Sequence, residues 1–167
     1  MYALLLATAR TDLIDTFYQS SLHKPDLSVQ IILVYSELMK DILVKRSSAG
    51  LGLFANKLFK KGDEITEYIG ETITTDEGNR RGGKYLFELN GNWMIDGKDR
   101  SNIARYANHS CRPNASPVLS DDETQVKIFA KKTITVGEEI TINYGPEYFN
   151  MVIQPAGCLC EKCTAKK

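Results

Sequence analysis

Hydrophobic positions divide the chain into two unequal parts. Over residues 1–40 they recur at helical spacing. Leu13, Ile14, Phe17, Tyr18 and Leu22 follow the N-cap pair Thr11-Asp12, and Lys24-Pro25-Asp26 ends that run. Leu27, Ile31, Val34, Tyr35, Leu38 and Ile42 then mark one face, although the β-branched residues between Val29 and Val34 also suit a strand. Beyond Ile42 the pattern changes to short β-type segments separated by turn residues. It predicts strands over Ile42–Lys45, Leu53–Lys57, Glu64–Ile69, Tyr85–Leu89, Trp93–Asp96, Val126–Ala130 and Glu139–Asn143. Gly62-Asp63, Asn90-Gly91-Asn92 and Val136-Gly137 punctuate them. Residues 99–107 read as a short helix carrying Arg105 and Tyr106. Residues 62–68 and 137–144 echo each other as two turn-then-strand units. The expected architecture is mainly β with short helices.

Length and charge narrow the classes. A chain of 167 residues fits one domain with a short extension. Hydrophobic residues at 43% and charged residues at 25% exclude a disordered or fibrous chain. Lys+Arg and Asp+Glu both count 21, which leaves no case for a general polyanion-binding surface, so direct nucleic-acid binding is not expected. No wholly apolar run, Ile31 to Tyr35 included, is long enough to cross a bilayer, and no membrane binding is expected. The apolar stretch from Tyr2 to Ala7 has no basic residue before it. The chain therefore reads as intracellular, without a signal peptide.

Cysteine placement points to metal. Cys111 stands alone, while Cys158, Cys160 and Cys163 form C-x-C-x2-C near the C-terminus. A disulfide framework is improbable in an intracellular chain. Four thiolates are what a closed tetrahedral zinc site requires, and here the fourth must come from far away in sequence. The other reading is a set of reduced, partly buried thiols, or a Cys111 nucleophile beside His109.

Two segments carry candidate chemistry. Gly50-Leu51-Gly52 is a glycine-punctuated bend that lets a ligand approach bare backbone. It lacks the third glycine of a dinucleotide fingerprint, and no phosphate loop of the G-x4-G-K-[ST] type occurs. Asn108-His109-Ser110-Cys111-Arg112-Pro113-Asn114 packs amide, imidazole and thiol groups more densely than a structural turn needs. A nucleophile elbow and an H-E-x-x-H helix are both missing, which argues against a hydrolase.

Taken in order, these stretches resemble the SET domain, the protein-lysine methyltransferase family. They are Gly50-Leu51-Gly52, Glu67-Tyr68-Ile69-Gly70-Glu71, Tyr85-Leu86-Phe87, Ile95-Asp96, Asn102 to Tyr106 leading into Asn108-His109-Ser110-Cys111, Gly137-Glu138-Glu139-Ile140, and Asn143-Tyr144-Gly145. The resemblance runs from about Ile42 to Cys163. It implies a helical extension over 1–41, a SET domain over 42–149 and a short post-SET zinc tail over 150–167. The SET fold consists of small β-sheets with a C-terminal pseudoknot, which would bring Asn108 and His109 to Tyr144.

The resemblance further implies S-adenosylmethionine as methyl donor, one structural zinc, and a lysine of a histone or another protein as acceptor. Carried over by position, Gly50, Leu51, Gly52, Tyr85, Asn108 and His109 hold the donor. Tyr144 is the catalytic tyrosine, and Tyr85 lines the place where donor and lysine meet. Cys111, Cys158, Cys160 and Cys163 bind the zinc. Ile142, Tyr148 and Phe149 line the lysine channel. A histone-modifying protein would sit on chromatin in a eukaryotic nucleus, and a bacterial one in the cytoplasm. The rival reading is a catalytically silent, zinc-containing protein-binding module on the same fold.

Overall fold

The computed structural model describes residues 40–165. The helical segment expected before residue 40 lies outside the described residues. Ten short strands build three small sheets, as a mainly β pattern with frequent turns requires.

The first sheet positions the site. Strand β1 (Ile42–Ser47) pairs antiparallel with β2 (Gly50–Ala55), from Ile42 opposite Ala55 to Ser47 opposite Gly50. Strand β10 (Glu139–Ile142) lies on the other side of β2, with Ile140 opposite Leu53. The two-residue strand β7 (Asn108–His109) then pairs parallel with β10, Thr141 facing Asn108 and Ile142 facing His109. Beyond it, the Ser110 N–H donates to the Ile142 carbonyl at 2.9 Å. Residues far apart in sequence thus become neighbours on one sheet.

A second sheet has the order β3-β9-β8, from Glu64–Tyr68, Val126–Ala130 and Ala115–Leu119. The third has the order β4-β6-β5, from Glu71–Thr74, Trp93–Asp96 and Leu86–Asn90. The two echoed segments are alike in structure too. Gly62 and Gly137 adopt φ of 92° and 86°, and each leads into a strand two residues later. Positive φ there costs a glycine nothing.

Inward-facing positions of β2, β9 and β10 meet in one core. Leu53, Phe59, Val126, Ile128, Ile134 and Ile140 are fully buried. Each contributes about 2 kcal/mol through burial. Phe59 and Ile134 exchange backbone hydrogen bonds of 3.0 and 2.9 Å, tying the turns that precede β3 and β10 to that core. No helix among the described residues is long and apolar enough to cross a membrane.

Helix α1 (Thr75–Arg81) has no apolar stripe and is held by polar contacts instead. The Thr74 hydroxyl accepts from the Glu77 N–H, and Arg81 reaches Glu71, Glu77 and Asp96 at 2.6, 2.7 and 3.1 Å. Burial by itself would raise the Asp96 carboxyl. Hydrogen bonds from Lys98 and Arg81 outweigh it and hold that carboxyl below the ordinary range.

Buried Asn114 binds the segment that follows β7 to β10. Its Nδ2 donates to the Glu139 carbonyl at 2.8 Å and to Glu138 Oε1 at 3.0 Å, while its Oδ1 accepts the Thr141 N–H at 2.8 Å. Asn114→Ala should cost about 3 kcal/mol, since buried backbone partners lose their bonds. Urea denaturation checks it: an unchanged midpoint would contradict this bracing role.

Candidate active site and metal centre

The parallel pairing of β7 with β10 carries the expected site residues together. Asn108, His109, Tyr144 and Tyr148 line one cavity of about 690 Å³, with Ser47 to Ala49 and residues 156–161 on other walls. Asn108 Nδ2 donates to the Leu51 carbonyl at 3.0 Å, so the glycine-punctuated stretch meets the Asn-His segment as expected. Lining from that hairpin comes from Ser47-Ser48-Ala49. Leu51 contributes its carbonyl and Gly52 lies behind it, against Glu139.

Tyr144 is largely buried, and its hydroxyl donates to the Ala107 carbonyl at 2.9 Å. Burial pushes this phenol well above the ordinary tyrosine value, and the neighbouring Tyr148 adds to the shift. It therefore stays protonated at neutral pH. Its oxygen keeps lone pairs for a second partner while its hydrogen is occupied. Tyr148 stacks edge-on against Tyr144 with ring centroids 5.5 Å apart.

His109 links the two halves of the site. Its Nδ1 accepts the Tyr144 N–H at 3.3 Å, which leaves the ring proton on Nε2, 3.5 Å from Cys111 Sγ. Burial lowers the His109 pKa, so the ring is neutral. Phe149 packs against this imidazole at 5.2 Å between centroids. It buttresses His109, whereas Tyr148 faces the cavity. Ile142 is buried in the core on β10.

Tyr85 lines a second, smaller cavity of about 350 Å³ with Arg81, Lys84 and Lys98. Lys84 belongs to both cavities. The Arg105 guanidinium lies 3.8 Å from the Tyr85 ring centroid and donates to the Lys98 carbonyl. The buried Tyr68 hydroxyl, pushed up to about 12 chiefly by burial, donates to the Tyr85 carbonyl at 2.8 Å. Tyr68, Arg105 and Glu139 had no role in the sequence reading. Each sat inside a quoted stretch, but its contact crosses elements that only the fold brings together.

The four cysteines converge. All four Sγ atoms lie within 4.8 Å of one another, with Cys111 at 3.7 Å from Cys163 and 4.0 Å from Cys158. Zinc–sulfur bonds of about 2.3 Å in a tetrahedron set sulfur–sulfur edges of about 3.8 Å. The thiols are free, and their spacing fits such a centre. Helix α2 (Glu161–Thr164) begins directly after Cys160, and its first turn presents Cys163 back to the cluster. Alongside, Ser48 Oγ donates to the Leu159 carbonyl at 3.3 Å, so the cysteine tail touches the cavity wall.

Small sheets joined by this strand pairing, with a partly buried tyrosine beside an Asn-His segment, define a SET-type domain. The SET domain family profile matches residues 50–145, and the chain belongs to that family. Among curated relatives it is 37% identical over 121 residues to histone-lysine N-methyltransferase MEDEA of Arabidopsis thaliana, covering 65% of this chain and 18% of that protein. Histone-lysine N-methyltransferase set1 of Dictyostelium discoideum is 36% identical over 123 residues, covering 67% and 8%. Histone-lysine N-methyltransferase Set2 of Drosophila melanogaster is 34% identical over 128 residues, covering 70% and 5%. The chain thus spans less than a fifth of each of these relatives. Among solved structures, the polycomb repressive complex 2 of Chaetomium thermophilum aligns with a TM-score of 0.61 at 32% identity, over 68% of this chain and 16% of that one. An active polycomb repressive complex 2 in its basal state aligns with a TM-score of 0.58 at 32% identity, over 64% and 15%.

Proposed function

We propose that this protein transfers methyl groups from S-adenosylmethionine to lysine side chains of a protein substrate. The observation that carries the reading is the junction at one cavity of Asn108, His109 and the buried Tyr144 hydroxyl. Family membership and three relatives named as histone-lysine methyltransferases support the same chemistry. Histones are the first substrates to test, with other lysine-bearing proteins beside them, and a chromatin location goes with a histone substrate.

Bound in the larger cavity, S-adenosylmethionine supplies an electrophilic methyl group on a sulfonium. The walls at Ser47–Ala49, Asn108 and His109 orient it, and alignment of donor with acceptor supplies much of the acceleration. The acceptor must be a neutral amine, although free lysine has a pKa near ~10.4. A site walled by Tyr144 and Tyr148 disfavours the ammonium by desolvation. Tyr144 stays a phenol, so it orients the amine through its oxygen lone pairs and does not act as a base. In the same reading the four cysteines hold one zinc, which staples residues 158–163 to the loop carrying Cys111.

Transfer of label from the donor to histones or to a cell extract separates an enzyme from a silent module. Label in acid-precipitable protein is expected; tight donor binding with no transfer would contradict the enzyme reading.

We further propose that Ile142, two residues before Tyr144 and buried on β10, sets the degree of methylation. Isoleucine cannot hold a water by a hydroxyl hydrogen bond, so a partly methylated amine turns toward the donor with less hindrance. Di- or trimethyl-lysine is expected from exhaustive reactions, and Ile142→Tyr should shift products toward monomethyl-lysine. Monomethyl-lysine from both proteins, read by mass spectrometry, would reject this gate.

A further inference from the structure

We infer that Glu139 is a positioning residue for the donor site, acting through the Asn108 side chain, and that Gly52 is bare because the Glu139 carboxylate occupies its side-chain space. The inference rests on the larger cavity being the S-adenosylmethionine site. Glu139 lines that cavity from β10, and its Oε1 accepts from Asn108 Nδ2 at 2.8 Å. The same Nδ2 donates to the Leu51 carbonyl at 3.0 Å. Two acceptors therefore face one end of the amide and use both of its hydrogens.

That arrangement decides which way the amide points. A flipped Asn108 would set its own oxygen against a carboxylate and a carbonyl, an acceptor against two acceptors. With Glu139 present the flip is excluded, and Oδ1 meets no protein donor among the described residues. It is held as a fixed acceptor at the cavity wall. A hydrogen bond to an ionised partner is roughly twice as strong as a neutral one, so the carboxylate dominates this lock.

Gly52 supplies the independent observation. A Cβ there would collide with Glu139 Oε1 and lie 2.9 Å from Ser47 Cβ. Gly52 sits mid-strand in β2, where a glycine weakens the element. Close approach by the carboxylate accounts for it. Glu139 enters from β10, which pairs with β2 two positions away at Phe54.

Calorimetric titration of the purified protein with S-adenosylmethionine tests the role without relying on turnover. Glu139→Ala should weaken binding roughly tenfold, the scale of losing a hydrogen bond to a charged group. Glu139→Gln, whose amide oxygen can still accept from Asn108, should stay within about threefold. In an Asn108→Ala background, Glu139→Ala should add little further loss, because the partner through which it acts is gone. A tenfold loss that persists in that background, or unchanged binding by Glu139→Ala, overturns the inference. Where Glu139→Ala lowers the thermal midpoint too far for titration, Gly52→Ala displaces the carboxylate instead, and wild-type affinity in that variant overturns it equally. Absence of donor binding by the unsubstituted protein would reject the methyltransferase reading and this inference together; normal wild-type binding with indifferent variants rejects the inference alone.

Discussion

Tyr144→Phe should lower methyl transfer by at least about tenfold while leaving donor affinity within a few-fold of wild type, as loss of a contact made mainly in the transition state does. The phenol is protonated and its hydrogen is engaged by the Ala107 carbonyl, so the reacting partner meets only its oxygen. Phenylalanine keeps the ring and its edge-on contact with Tyr148 but removes that oxygen. It also leaves the Ala107 carbonyl without this donor, which should cost about 1 kcal/mol of stability. Assays well below the variant's midpoint separate the two effects. The pH profile provides a second readout. If the proton lost on going to alkaline pH belongs to the substrate amine, rate rises with pH in both proteins with the same slope. A slope that disappears in Tyr144→Phe would make the tyrosine the base, and near-normal turnover would remove it from the chemistry.

Removal of zinc is expected to have the second large effect. Residues 157–165 include Gly157, three cysteines and several charged or exposed side chains, and of the cysteines only Cys160 is buried. Little apolar surface is available to dock this tail without metal. Metal bound at the four cysteines would therefore supply much of its folding free energy. The purified protein should contain one zinc per chain. Cys163→Ser should release it, free the Ser48–Leu159 contact and open the cavity wall formed by residues 156–161. Zinc content by mass spectrometry and proteolysis of the tail both report on this. A metal-free protein with unchanged activity and thermal midpoint would contradict the structural role. His109 ties the cysteine cluster to Tyr144 through Cys111 Sγ and the Tyr144 N–H, so loosening the tail should lower turnover as well.

Short runs of β-branched and aromatic residues bounded by turn residues make some elements legible in the sequence. Trp93–Asp96 and Val126–Ala130 form over the residues expected, and Ile42–Ser47 and Glu64–Tyr68 differ only at their ends. Ala115–Leu119 escaped because Pro117 argues against a strand. It lies at the edge of the β3-β9-β8 sheet, where a proline is tolerated. Glu71–Thr74 is a short edge strand, and its outward residues are polar. Helix α1 leaves no hydrophobic signal in the sequence, because its stability comes from the Thr74 cap and the Arg81 ion pairs. Strand β2 begins at Gly50, so the glycines read as a bend are already paired with β1. The short helix expected over 99–107 is a single 3-10 turn, Ile103–Tyr106, whose Arg105 stacks on Tyr85.

The same distinction governs the site. Asn108, His109 and the cysteines stand out because their motifs are local and unusual in composition, whereas Tyr144 enters through the resemblance to the SET domain. Glu139, Arg105 and Tyr68 act across strands, and no local spacing encodes the registry that joins them to their partners. Glu139 could have been suspected from alternation alone. With Ile140 and Ile142 facing the core, Glu139 and Thr141 must face the other side of β10.

Transfer of a methyl group to a lysine nitrogen can be read by incubating the purified protein with S-adenosylmethionine and a histone mixture, then mapping product peptides by tandem mass spectrometry. Methyl groups are expected on lysine Nζ, formed together with S-adenosylhomocysteine and largely lost with Tyr144→Phe. Methylation confined to other atoms, or the same lysine products from Tyr144→Phe at the wild-type rate, would contradict it.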